Sequence, residues 1–543
     1  MRKISIAAFA VTALFGSLLL PVSITAQSAD FNMARSLEIQ NNILKELVNG
    51  FVDSVSVEKL VNTGINAMLG SLDPYTEYIP EEDEKNIELL TTATYGGIGA
   101  MIKKLDTTGV IISQPYLGSP AVKYGLEPGD VILEIDGEDV MPLNAEECSS
   151  RMKGEPGTSV RFLVRKGRSG KTAEIEVVRE RIHIPDVSYS GILKDTIGYI
   201  KIDGFTVNGS EDVRKAVVSL KEKGARRLIL DLRGNGGGLL DEAVDIVSLF
   251  VPKGTLVVTQ KGRANVGADM EYRTKKEPVD TLIPLMVLVN SGSASSSEIV
   301  TGAIQDLDRG YVAGTRTYGK GLVQAIRPVG YNGTMKMTIA KYYTPSGRCV
   351  QAIDYSHRNS DGSVGYVPDS LKKAFRTRLG RTVYDGGGIT PDSVIASDQY
   401  SRIAISLVMN DIINDYAIKF YSEHDSIPPV MDFSLTDEQY GDFVKYAVSR
   451  EFDSRSGAQV LMEDLLKSAR QEELDEYIKA EAEALKAKLS ISKEQMLLLK
   501  KEEIRPLVEE EIANKYYFTP GRVEAIIKSD SQLHKAVALF AGE

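Results

Sequence analysis

The sequence predicts an α/β core carrying a small inserted β-rich module, with a helical segment before it and a helical region after it. Three observations lead there. Between residues 183 and 395, short apolar runs alternate with stretches of helical periodicity. Between 91 and 182, β-type runs are separated by glycine turns. From 396 to 543 the chain is charged and helical, with few strand signals. At 543 residues the chain exceeds what one hydrophobic core supports, so several domains are expected.

The elements follow in order. Arg2 and Lys3 precede an apolar run over 4–20, and small residues follow at Ser23, Thr25 and Ala26. That order predicts a secretory signal peptide over 1–29, cut after Ala26 or Ala29. An uncleaved anchor is the alternative, because the run approaches the shortest spanning length. Residues 30–90 are expected to be helical: Ile39, Ile43, Leu44 and Leu47 recur at helical spacing, as do Val57, Leu60, Val61 and Ile65. Gly70 and the turn 72–76 end that segment. The module 91–182 is expected to hold strands at 98–102, 110–113, 131–135, 160–165 and 173–178, with one helix over 145–152. In the core 183–395, strands at 197–202, 228–232 and 285–289 each lead towards a helix, at 211–223, 239–250 and 298–307. Strand–turn–helix units place sites at the C-terminal strand ends, where the glycine-rich turn 233–238 and a serine-rich turn both fall. The helices 472–489 and 493–517 carry Lys/Glu runs that read as solvated faces. Their apolar stripes are expected to pack on the core or on a second subunit.

Composition narrows the function classes. The net charge of -11 and the lack of a basic patch with interleaved aromatics argue against nucleic acid as a partner. The two cysteines, Cys148 and Cys349, are expected to be free small hydrophobes. His183, His357, His424 and His534 show no metal-ligand spacing, and neither a metal nor an organic cofactor is expected. The chemistry lies at 289–324. A serine needs a base to attack at neutral pH, and a lysine serves once desolvation has lowered its pKa. Here Ser293, Ser295, Ser296 and Ser297 precede a helix, Lys320 stands between Gly319 and Gly321, and Gln324 follows. The segment reads as a Ser–Lys hydrolase site, a variant of triad logic.

Seven motifs in order resemble the carboxy-terminal processing peptidases, also called tail-specific proteases. They are Leu72-Asp73-Pro74-Tyr75-Thr76-Glu77-Tyr78; Tyr95-Gly96-Gly97-Ile98-Gly99 with the stretch from Gly118 to Asp130; Asp231-Leu232-Arg233-Gly234-Asn235-Gly236-Gly237-Gly238; Ser293-Ala294-Ser295-Ser296-Ser297-Glu298; Tyr318-Gly319-Lys320-Gly321-Leu322-Val323-Gln324; Tyr342-Tyr343-Thr344-Pro345-Ser346-Gly347-Arg348; and Gly388-Ile389-Thr390-Pro391-Asp392. The resemblance covers roughly 40–395. It implies a catalytic core of the ClpP/crotonase-like kind, a PDZ domain over 91–182, and a serine endopeptidase acting near substrate C-termini. One departure is Ser296, where the family usually has alanine. The family's serine precedes its lysine by twenty-five positions, and that register selects Ser295 against Lys320. Ser296 or Ser297 is then expected to cap the following helix.

The resemblance also implies roles. Ser295 is the nucleophile, Lys320 the general base and Gln324 the group that orients the amine. The N–H groups of Ser296 and Gly237 are expected to form the oxyanion hole. Gly96, Gly97, Ile98 and Gly99 are expected to hold a free, apolar C-terminal tail, with strand 98–102 accepting it by strand addition. The expected partners are protein substrates, with a homodimer or adaptor through the C-terminal helices. The expected location is the periplasm, in soluble or tethered form. A catalytically dead scaffold is opposed by the intact Ser–Lys–Gln set, and a small-substrate acyltransferase or esterase by the tail groove.

Overall fold

The computed structural model describes residues 21–81, 91–105, 109–194, 196–263, 269–359 and 363–542. Most of the expected targeting segment (1–20) and the end of the expected helical region (82–90) lie outside the described residues. The chain divides into two units, one holding residues up to Pro80 with Ile326–Met337, the other Glu81–Ala325 with Thr338–Glu543.

In the first unit, helices Pro21–Gly50 and Val57–Gly70 precede a short strand, Glu77–Ile79. The first helix runs through the expected cleavage positions. Ser56 caps the second by accepting from the Lys59 N–H, and Asp73 closes the next turn by accepting from Tyr75 and Thr76. Glu77–Ile79 pairs antiparallel with 334–336.

In the second unit the six-stranded central sheet runs in the order Val187–Ile192, Ile197–Ile202, Arg227–Asp231, Leu285–Val289, Tyr311–Gly314, Ser393–Val394. The first pair is antiparallel and the others are parallel. All five residues of Leu285–Val289 are buried, which is why that strand reads as an unbroken apolar run. Helices Gly209–Glu222, Leu240–Ser248 and Ser296–Asp306 cover one face through residues such as Val217, Val247 and Val300. The other face, with Tyr199, Ile229 and Leu288, packs on Val523, Ile527, Leu533 and Val537 from the C-terminal helices. The C-terminal apolar stripes thus complete a three-layer core. The helix expected over 493–517 is divided into Lys493–Leu499 and Lys501–Ser529. The second of these breaks at Phe518 (φ 58°), two residues before Pro520, which cannot continue the hydrogen-bond ladder.

The inserted module is a sheet in the order Ala100–Leu105, Gly109–Pro115, Val131–Ile135, Ser159–Arg165, Thr172–Val178, beside helix Ala145–Met152. The single strand expected over 98–102 is divided. Thr94–Gly97 pairs with Glu180–His183, Gly99 turns the chain at φ 75°, and a new strand starts at Ala100. A Cβ at Gly99 would lie 2.4 Å from Ser119 Cβ, so glycine is required there twice over. The module's outer face rests on the C-terminal helices. Lys103 pairs with Asp415 at 2.8 Å, and Ile418 packs on Ile111 and Val131. Lys515, almost wholly buried, donates to Ser113 O at 3.2 Å and Asn414 Oδ1 at 2.7 Å. Burial pushes its amine down to about 8. Cys148 is buried in the module's core, and Cys349 is half-buried; both are free.

One buried ion pair anchors the last turn of helix Ser296–Asp306. Arg348 Nη2 donates to Asp306 Oδ1 at 2.8 Å, and both side chains are all but inaccessible. Asp306 Oδ2 also accepts from Thr344 and from the Ser346 N–H. Asp306→Ala is expected to cost about 3–5 kcal/mol, because it strands a buried guanidinium. Replacing both partners by leucine and methionine should recover most of that loss. Denaturant unfolding of the two variants checks it.

Candidate active site

Two turns meet at the C-terminal ends of neighbouring parallel strands. The turn after Leu285–Val289 carries the serines. Ser293 Oγ donates to Leu232 O at 2.7 Å and accepts from the Asn290 N–H, tying the two strand ends together. Ser296 Oγ donates to Gly238 O at 2.8 Å, and Ser297 Oγ to Asn235 O at 2.9 Å. Three of the four serine hydroxyls therefore stitch this turn to the glycine turn. The hydroxyl of Ser295 is donated to no carbonyl among the described residues. Ser295 is the N-cap residue, contrary to the expectation of Ser296 or Ser297. It has φ 55° and ψ -115°, a sparsely populated region that costs a non-glycine residue about 1–3 kcal/mol. A strained strand-to-helix turn of this kind lifts a hydroxyl out of the backbone's reach. Ser295 is half-buried, whereas Ser293, Ser296 and Ser297 are buried.

The glycine turn presses against it. A Cβ on Gly237 (φ 100°) would lie 2.7 Å from Ser295 Cβ and 2.9 Å from Ser296 N. The Gly237 N–H is donated to Asn235 Oδ1 at 2.8 Å. Gly237 thus lies against Ser295, with its N–H already engaged. Ser296 N is the first residue of the helix, where no intrahelical acceptor exists. Asn235, buried, holds the assembly: its Nδ2 donates to Ile202 O and its carbonyl accepts from Ala294 N. Beneath the turn, Asp231 accepts from Tyr199 at 2.7 Å and from Arg233. Burial pushes Asp231 up, but Arg233 and Lys201 outweigh it and hold the carboxyl below its usual range. Arg233 continues to Asp530 at 2.6 Å and Gln532 at 3.0 Å, so the cap of the last helix reaches the glycine turn.

The segment carrying Lys320 joins through one buried carboxylate. Glu298 Oε2 accepts from Ser295 N at 3.0 Å and Lys320 N at 2.8 Å. Its Oε1 accepts from Gly319 N at 2.7 Å and Thr317 Oγ1 at 2.6 Å. Burial raises the Glu298 carboxyl against the pull of these four donors. Tyr342 bridges the same two residues from the carbonyl side, donating to Lys320 O at 2.7 Å and, at 3.1 Å, to Ser295 O. Lys320 is half-buried. Gln324, on strand Leu322–Gly330, donates from Nε2 to Thr338 Oγ1 at 3.2 Å; among the described contacts it reaches Thr338 and not Lys320.

Sequence reasoning gave no role to Glu298, Tyr342 or Asn235. Glu298 did carry a signal: Ser295-x-x-Glu298 has the spacing of a capping box, which selects Ser295 as the cap. The histidines meet other partners. His183 contacts Thr94 and Asp212, His357 contacts Asp354, His424 contacts Phe420, and His534 contacts Ile527. Among the described residues no group of His, Cys, Asp and Glu is placed to hold a metal ion.

In the inserted module, Ala100–Leu105 is an edge strand, paired on one side only by Gly109–Pro115. Helix Ala145–Met152 lies beside it, and Ala100 and Ile102 pack towards Cys148 and Met152. Gly96 and Gly97 lie within Thr94–Gly97, where Gly96 O accepts from Gly154 N. Ile98 and Gly99 form the junction, their carbonyls taken by Ala121 N and Tyr116 N. Among the described residues this strand ends the sheet and begins at Ala100, two residues later than the sequence suggested.

Residues 196–356 match the family described as "Peptidase family S41", 111–166 a "PDZ domain", and 403–540 "Probable PDZ-protease, C-terminal helical domain". A "Carboxy-terminal-processing protease" of Bartonella bacilliformis is 34% identical over 59% of this chain and 74% of its own length. A "Probable CtpA-like serine protease" of Staphylococcus haemolyticus is 32% identical over 66% of this chain and 65% of its own. A solved "Photosystem II D1 C-terminal processing protease" is 25% identical over 65% of this chain and 91% of its own, with a TM-score of 0.35.

Proposed function

From the premise that this chain belongs to the carboxy-terminal-processing proteases of peptidase family S41, serine peptidases that here carry a PDZ domain, we propose that Ser295 and Lys320 are its reacting pair. The observation that carries this is the shared carboxylate. Glu298 holds the Ser295 and Lys320 N–H groups on one oxygen while the Ser295 backbone is kept at positive φ. Ser295 Oγ attacks the peptide carbonyl, and neutral Lys320 takes its proton. The oxyanion is met by the Ser296 N–H and by Gly237, whose N–H exchanges Asn235 Oδ1 for the substrate oxygen. Lys320 then returns the proton to the leaving amine. Water releases the acyl group by the same route in reverse. Gln324, four residues after Lys320 and on the strand Leu322–Gly330 that follows it, orients the amine once it leaves Thr338. The core is read as ClpP/crotonase-like. The test is intact-mass analysis of an unfolded protein with an apolar tail, incubated with the chain and with Ser295→Ala. Cleavage by the variant at the wild-type rate would overturn the assignment.

The PDZ domain, on this reading, selects the substrate. The tail adds as a strand to Ala100–Leu105, with its carboxylate at the Gly96–Gly99 loop and its last, apolar side chain facing helix Ala145–Met152. Tail binding also gates the catalytic site. A substrate whose C-terminus is amidated is expected to lose about tenfold or more in kcat/KM, because the loop's N–H groups then meet no charge. Steady-state rates on the acid and amide forms check this.

The domain boundaries proposed are 1–29 signal peptide, 30–90 helical segment, 91–182 PDZ domain, 183–395 peptidase core and 396–543 helical domain. The chain is exported, to the periplasm or an equivalent space, in soluble form or tethered by an uncleaved anchor. No described helix is long and apolar enough to cross a membrane. Its substrates are proteins, and the C-terminal helices additionally serve a homodimer or adaptor contact.

A further inference from the structure

The strand behind the PDZ domain's edge carries an irregularity. Ala100–Leu105 pairs with Gly109–Pro115 in two registers: Met101 faces Gln114, but Ile102 faces Ile112. Ser113 is left between them as the extra residue of a β-bulge, and it has no partner in the pairing with Val131–Ile135 either. Ser113 is buried, so its carbonyl needs a donor. That donor comes from the C-terminal helical region. Lys515, in helix Lys501–Ser529, donates from Nζ to Ser113 O at 3.2 Å and to Asn414 Oδ1 at 2.7 Å. Asn414 Nδ2 in turn donates to Ser113 Oγ at 3.4 Å. A lysine rarely gives up water for two neutral oxygens. Glu511, the carboxylate beside it, stands 3.7 Å away and is shared with Arg522 at 3.1 Å.

The bulge decides how the edge strand begins. On its far side lie Ala100 and Met101, paired with Pro115 and Gln114, and before them the Gly96–Gly99 loop. Closing the bulge would shift the pairing of Ala100 and Met101 by one residue, and a one-residue shift exchanges the faces of a strand. We propose that Lys515 is a positioning residue for tail binding: reaching in from the C-terminal helices, it holds the bulge at Ser113 and so fixes the start of the edge strand against the loop. This rests on the reading that a substrate tail pairs with Ala100–Leu105 and sets its carboxylate at that loop. Docking of the PDZ domain has other supports. Lys103 pairs with Asp415 at 2.8 Å and Asp411 at 3.1 Å, and Ile418 packs on Ile111 and Val131. Arg168 donates to His424 O and to Asp425, each at 3.1 Å, and lies over the Tyr421 ring. Removing the Lys515 amine therefore releases the bulge and leaves the domain seated.

The test reads affinity on the full chain. A fluorescent peptide with apolar last residues is titrated by anisotropy, as the free acid and as the amide, and KM and kcat are measured on a tailed protein substrate. Lys515→Met keeps the reach of the side chain and removes its donors. It is expected to weaken free-acid binding about tenfold and to raise KM as far, at unchanged kcat. Asn414→Ala, the milder change, is expected to weaken binding about threefold, and it keeps the test decisive if Lys515→Met does not fold. Ile418→Ala is the control. It removes packing between the same two regions without touching the bulge, so it should lower the unfolding midpoint and leave tail affinity unchanged. The proposal is overturned if Lys515→Met and Asn414→Ala both bind the tail as the wild type does, because the lysine then serves stability alone. It is equally overturned if Ile418→Ala weakens binding as far as Lys515→Met, because docking as a whole then matters and not the bulge. Failure of the tail reading has its own signature: the wild type itself binds acid and amide alike, and the proposal falls with it.

Discussion

Ser295→Ala is expected to lower kcat/KM on a tailed protein substrate by at least about 10³-fold, with Lys320→Ala falling as far. The reason is geometric. Ser293, Ser296 and Ser297 spend their hydroxyls on Leu232, Gly238 and Asn235 carbonyls, so none of them can substitute for the missing nucleophile. The two changes should not add: a nucleophile without its base, or a base without its nucleophile, leaves only binding and the oxyanion donors at work. The double variant is therefore expected at the level of either single one. Single-turnover rates by intact mass measure the effect, and tail binding to the PDZ domain should be unchanged in all three. A Ser295→Ala chain that still cuts would move the chemistry away from this turn altogether.

The elements that position this site were readable where local pattern decides structure. The strands ending at Asp231 and Val289 are apolar runs because both of their faces are covered, by Val247 and Val300 on one side and by Val523 and Val537 on the other. The proposal of Ser295 as nucleophile rests on a register of residues along the chain. The helix cap was misplaced onto Ser296 or Ser297 because any of four serines satisfies the composition of a cap; only the spacing to Glu298 discriminates. What could not be read were contacts between distant parts of the chain. Tyr342 looks like one more aromatic residue of a strand, yet its hydroxyl reaches a carbonyl 47 positions away. Arg233 looks like part of a glycine turn, yet it finds Asp530 across 297 positions. Lys515 sits in a helix read as solvated, and folding buries it under the PDZ domain. Hydrophobic periodicity carries no information about such pairs, because each is a polar group satisfied by the tertiary arrangement alone.

Glu298→Ala is expected to remove activity nearly as completely as loss of the nucleophile, and to destabilise the chain where Ser295→Ala does not. Four donors converge on this one carboxylate: Ser295 N, Lys320 N, Gly319 N and the Thr317 hydroxyl. Glu298 is fully buried, and so are the Thr317 hydroxyl and the Gly319 N–H that it accepts from; the other two donors sit on half-buried residues. Deleting the acceptor leaves several buried donors unsatisfied, at about 1–3 kcal/mol each, so a total near 4 kcal/mol is a conservative expectation after relaxation. Relaxation is also what ends catalysis, because the Ser295 and Lys320 backbones are then no longer held to a common point. Glu298→Gln is the sharper variant. It keeps the volume but turns one oxygen into an NH2 group facing one of the donor pairs, which exchanges attraction for donor–donor conflict. Tyr342→Phe removes only the second bridge, and its carbonyls keep other acceptor capacity, so a loss of about 1 kcal/mol and about tenfold in kcat is expected. The ordering Glu298→Ala, Glu298→Gln, Tyr342→Phe, in both unfolding midpoint and kcat, distinguishes a positioning role from a chemical one. A group that only took part in proton transfer would lower kcat and leave the midpoint where it was.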